Sequence, residues 1–98
     1  METEVDNYRV RSRENGWVIE TRHVKKSGKN AGEIDWNNPK YYSSLVHTLE
    51  RLQDFLFKDL GPIEGVREMI AAIRDANQKI LEAATELDQQ FKEYRRAS

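Results

Sequence analysis

The sequence predicts an α+β protein: an N-terminal three-stranded antiparallel meander followed by two helices, the second long and heptad-patterned. Three observations predict it. Apolar and polar residues alternate with a period of two across Tyr8–Arg11 and again from Trp17, which suits strands with one buried face and one wet face. The pair Asn15-Gly16 separates those two runs, and both residues tolerate the positive φ of a tight hairpin turn. From Val66 onward, Val66, Ile70, Ile73, Asn77, Ile80, Ala84, Leu87, Phe91 and Tyr94 recur in strict steps of four and three, a spacing that keeps one seam of a helix turned toward a partner helix.

The first strand is expected over Val5 to Arg13, with Tyr8 and Val10 on one face and Arg9 and Arg11 on the other. The second, Trp17 to Lys25, turns Trp17, Ile19, Thr21 and His23 one way and Val18, Glu20, Arg22 and Val24 the other. Trp17 and Ile19 mark its apolar face. Lys26 to Gly32 reads as a flexible basic loop, and Glu33 to Trp36 resumes an extended segment as the third strand. Asn37-Asn38-Pro39 breaks it, after which Tyr41-Tyr42 either ends the strand or leads into the helix.

Ser43 or Ser44 supplies the N-cap of the first helix, because a hydroxyl accepts a bond from the free amides of the first turn. That helix should run to about Leu60. Leu45, Leu49, Leu52, Leu56 and Leu60 line one stripe, widened by Val46 and Phe57, that packs on the sheet. Gly61-Pro62 stops it, since glycine suits the C-terminal cap and proline starts the next helix without an amide hydrogen. Ile63 then begins the long helix. Residues 1–60 thus form a sheet with its packing helix, and residues 61–98 an oligomerising helix.

In that long helix Val66, Ile73, Ile80, Leu87 and Tyr94 fall at d, and Ile70, Asn77, Ala84 and Phe91 at a. A buried Asn at a weakens an assembly while fixing its register by pairing with its own copy, so Asn77 points to a homo-oligomer. The apolar Met69, Ala76 and Ala83 at g and Leu81 at e widen the stripe beyond a two-stranded zipper and favour a multi-helix bundle. The alternative is a long helix packed on its own domain.

With 98 residues the chain holds one domain, or a small domain and a protruding helix, and its core is modest unless copies associate. Charged residues make up 34% and apolar ones 38%, enough to fold. The absence of cysteine removes disulfides, thiolate metal sites and a thiol nucleophile together. No stretch approaches a membrane span, and Met1 to Asp6 is acidic where a secretory signal begins basic. A soluble chain in a cytoplasmic setting is expected. The net charge of −1 conceals an uneven layout: Arg9 to Lys29 carries seven basic residues against Glu14 and Glu20, a local balance of +5. An anionic partner would be met there.

Little in the chain suits catalysis. His23 and His47 lack companions at metal-ligand spacing, no pair of carboxylates stands out for acid–base work, and Gly28-Lys29 lacks the glycine spacing and hydroxyl of a phosphate loop. No enzyme, metal or cofactor is expected. The basic hairpin is the stronger lead. Arg9, Arg11, Arg13 and Arg22 can share a strand face, with Lys25, Lys26 and Lys29 in the adjoining loop and Trp17, Trp36, Tyr41 and Tyr42 nearby. Cations attract phosphates and aromatic rings stack on bases, so the expected binding residues are Arg9, Arg11, Arg22, Lys25, Lys29, Trp36 and Tyr42. The competing reading is that the cations keep an edge strand soluble while the rings fill the core.

The blocks Asp6-Asn7-Tyr8-Arg9-Val10, Trp17-Val18-Ile19, Gly28-Lys29-Asn30-Ala31-Gly32, Trp36 and Tyr41-Tyr42-Ser43-Ser44-Leu45 resemble, in that order, a group of small phage and prophage proteins. The resemblance covers the first half of the chain and carries no catalytic residues. It implies a small accessory protein that works by binding in the cytoplasm of the infected host, countering antiviral defence by blocking a nuclease or sequestering a signalling nucleotide. A more distant likeness, to the three-strand-plus-helix DNA-binding domains of phage integrases and plant transcription factors, implies instead a DNA-binding accessory or regulatory protein. A third expectation is a structural adaptor acting through the long helix.

Overall fold

The computed structural model of the chain describes residues 1–97. Four antiparallel strands, β1 (Glu2–Val5), β2 (Tyr8–Arg13), β3 (Gly16–Val24) and β4 (Ile34–Tyr42), form a meander in the order β1-β2-β3-β4, followed by α1 (Leu45–Asp59) and α2 (Val66–Ala97). The α+β class is as expected, but the strand count is four. The segment read as one strand from Val5 is split by an Asp6-Asn7 turn, with Asp6 at φ 52°. Aspartate enters that left-handed region at modest cost. The missed strand is short and has a single strongly apolar residue, Val5. Its pairing with β2 and two bonds from α2 hold it: the Gln90 side-chain amide donates to the Glu2 carbonyl (2.7 Å), and its oxygen accepts the Glu2 amide (2.9 Å).

The second hairpin turns at Glu14-Asn15, one residue earlier than expected, and Gly16 opens β3 opposite Arg13. The glycine is needed because a β-carbon there would collide with the Tyr42 carbonyl, and its φ of 155° is outside the usual range of side-chain-bearing residues.

Asn37-Asn38-Pro39 does not end the third predicted strand. That strand runs on to Tyr42 as β4 and absorbs the sequence as a β-bulge: Thr21 pairs with Asn37 and Ile19 with Lys40, leaving Asn38 and Pro39 opposite Glu20. Asn38 takes φ 52°. A bulge on an edge strand is one of the few places in a sheet where a proline, lacking its amide donor, is tolerated.

Ser44 caps α1, accepting from the His47 amide at 3.2 Å. Leu52 and Leu56 are buried as expected, while Val46, Phe57 and Leu60 are exposed; Thr48 and Phe55 take part in the packing instead. The buried Thr48 hydroxyl is satisfied by donating to the Ser44 carbonyl (2.6 Å). The second helix begins at Val66 and not at Ile63, because Gly65, at φ 93°, sets the chain direction and its carbonyl accepts the Met69 amide.

One core joins all this. Val5, Tyr8, Val10 and Ile19 from the sheet meet Leu52 and Leu56 from α1 and Ala76, Ala83 and Leu87 from α2. Small alanines let α2 approach closely. The Tyr8 ring stacks on Phe55 at 5.5 Å and its hydroxyl donates to Asp59 (2.5 Å).

Candidate functional site

Strand alternation sorts the sheet into two faces. Val5, Tyr8, Val10, Ile19, Trp17 and Tyr42 lie on the inner one, against the helices. The outer face carries Glu2, Glu4, Arg9, Arg11, Arg13, Val18, Glu20, Arg22, Trp36 and Tyr41, as the register requires, and both helices lie on the opposite side. Four arginines and two aromatic rings therefore share an uncovered surface.

At its centre is Glu20, whose residue is only 7% exposed although it lies on the wet face. It accepts from Arg9 (Nη2, 3.0 Å) and Arg11 (Nε, 2.8 Å). Burial opposes ionisation of Glu20, but the hydrogen bonds and charges of Arg11 and Arg9 outweigh it and hold the carboxyl below the usual carboxylate range. The Arg11 guanidinium is correspondingly held more firmly charged by Glu20. Arg9 also lies over the Trp36 ring at 4.7 Å, and Arg13 over Tyr41 at 4.3 Å. Val18 is sealed (2% exposed) between its cross-strand neighbours Arg11 and Tyr41. The planar guanidinium groups of Arg9 and Arg13 thus pack on rings as well as carrying charge.

Of the expected binding residues, the structure brings Arg9, Arg11, Arg22 and Trp36 together on this face. Arg22 has no ion-pair partner among the described residues. Lys25 and Lys29 lie beyond the end of β3, in the exposed connection to β4, where Lys25 reaches Glu33 at 4.0 Å. Tyr42 is a correction. It points inward, with its ring 5.4 Å from His47, and Tyr41 takes the outer position. Simple alternation would put Trp36 and Tyr42 on one face; the bulge adds a residue between them and reverses the phase.

The heptad residues divide. Leu87 is buried and Ile80 packed in the protein's own core, and Asn77 accepts from Gln53 of α1 (2.7 Å). Val66, Ile70, Ile73, Phe91 and Tyr94 remain exposed, and Ala84 is half-buried. A concavity between β1 and α2 has Glu2, Glu4, Asp6, Glu82, Glu86 and Lys79 among its lining residues, a carboxylate-rich setting that repels anions. Among the described residues no group of three or more His, Cys, Asp or Glu is placed to hold a metal ion, and no helix is long and apolar enough to cross a membrane. No protein-family model, curated protein or solved structure matches the chain.

Proposed function

We propose that this chain is a small, non-enzymatic binding protein of the phage accessory type, and that it engages polynucleotide through the outer face of its sheet. The single observation that carries the reading is the uncovered face itself. Arg9, Arg11, Arg13 and Arg22 lie there beside Trp36 and Tyr41, while both helices occupy the other side. Such a surface offers cations to phosphates and rings to bases. A flat face also suits an extended ligand better than a small enclosed nucleotide, and the concavity between β1 and α2 is acidic.

A second reading rests on Glu20. By neutralising Arg9 and Arg11 it gives the face a mixed charge pattern, which fits a complementary protein surface such as that of a host nuclease. Fluorescence anisotropy with labelled single- and double-stranded DNA separates the two. Polynucleotide binding should weaken linearly in log–log form as salt rises, and Arg22→Ala with Lys29→Ala should lower both affinity and salt slope. A chain that binds neither DNA at low salt, or a double variant that binds unchanged, would sink the first reading; blockade of a nuclease without DNA binding would favour the second.

A further inference from the structure

The core consumes part of the heptad seam and leaves another part bare. On a helix turning 100° per residue, Ile70, Arg74, Asn77, Leu81, Ala84 and Asp88 form a continuous stripe one position away from the buried Ala76, Ala83 and Leu87. Leu81 is 59% exposed and Ile70 44%. The first helix borders this stripe, because its Gln53 donates to Asn77. Val46 and Phe57, seven residues before Gln53 and four after it, extend the apolar surface and are themselves exposed.

Two quantities indicate that a second protein surface is missing. The accessible area, 7364 Å², exceeds by about 1,500 Å² the roughly 5,800 Å² expected of a compact monomer of this mass. A stable interface removes about 800 Å² from each partner. The radius of gyration, 15.5 Å, likewise stands above the roughly 12.6 Å of a compact chain of this length.

We propose that the occupant is a second copy, with α2 pairing antiparallel to α2 about a two-fold axis at Leu81. The order of the stripe is self-complementary only in that direction. Arg74 and Asp88 are equidistant from Leu81, so each copy's Arg74 meets the other's Asp88 and the contact occurs twice. About the same axis Ile70 lies level with Lys92 of the second copy, one residue from Phe91, and Asn77 with Thr85, one residue from Ala84. Within its own chain Asp88 pairs with Lys92 (3.1 Å), whereas Arg74 has no ion-pair partner among the described residues. In a parallel pairing Arg74 would face Arg74. The antiparallel arrangement buries both helix layers between two sheets and turns the two arginine faces outward. It does not depend on what those faces bind.

Light scattering across protein concentration should give twice the 11.5 kDa chain mass. Leu81→Glu should yield a folded monomer by circular dichroism, Arg74→Asp should weaken the dimer roughly tenfold, and Arg74→Asp with Asp88→Arg should restore it. Because the chain has no cysteine, engineered thiols report direction without depending on variant stability. Ile70→Cys mixed with Lys92→Cys should cross-link on oxidation, and Ile70→Cys alone should not. A wild-type monomer at all concentrations, a charge swap that fails to restore the dimer, or self-linking of Ile70→Cys would overturn the proposal.

Discussion

Glu20 is the residue on which the outer face turns. A carboxylate buried on the wet side of a sheet persists because Arg9 and Arg11 pair with it from the neighbouring strand. Glu20→Gln keeps the shape and removes the charge. Both arginines retain access to water, so the substitution should cost about 1–2 kcal/mol in urea denaturation, and it should tighten DNA binding if the face meets phosphates. Its depressed pKa also fixes the sign of an acid dependence: the stabilisation is present above the ordinary carboxylate value and lost as pH falls through the lower folded one. Glu20→Gln should flatten that acid limb. Tyr8 governs the alkaline side. Burial, then the hydrogen bond to Asp59, push its hydroxyl up to about 12. The protonated phenol is the form the fold favours, so its contribution is complete below about pH 10 and disappears as pH rises through 12. Tyr8→Phe should lose about 1.5 kcal/mol at neutral pH and remove that alkaline dependence.

At the scale of the element, the two edges of the sheet are managed differently. β4 carries a bulge with Pro39, which interrupts its free edge. β1 is instead tied to α2 by the Gln90 amide, which returns both backbone groups of Glu2 to a bonded state, and by Lys79, which reaches Asp6 at 2.9 Å. Gln90→Ala should therefore cost about 1 kcal/mol and, more diagnostically, speed amide hydrogen exchange at Glu2 while leaving the β2–β3 ladder protected. The same contacts explain why β1 escapes notice in the sequence. Four residues with one large apolar side chain carry almost no periodic signal, and Gln90, 88 residues further along than Glu2, supplies the partner.

For the whole molecule, one core carries two open surfaces: an arginine-rich sheet face and a helix stripe on which Leu81 and Ile70 are exposed. If the helix face pairs two copies, folding and association are linked, and the melting temperature should rise with protein concentration. Leu81→Glu should abolish that rise without changing the sheet. A concentration-independent melting temperature in the wild type would indicate that the protomer is stable on its own.

The sequence by itself determined the α+β class, the order of strands before helices, a serine cap at Ser43 or Ser44, of which the structure uses Ser44, and the placement of Arg9, Arg11, Arg13 and Arg22 on one strand face. These follow from local periodicity and capping chemistry, which act over a few residues. The tertiary structure decided the rest. It reversed Tyr41 and Tyr42 through a bulge opposite Glu20, assigned Leu87 and Ile80 to the internal core, and gave Asn77 a partner in Gln53. Each of those outcomes depends on which distant element arrives at a given face. A heptad can specify that a seam will be covered, but only the packing of α2 against α1 and β1 selects the residues already covered within the chain and leaves Leu81 and Ile70 in water.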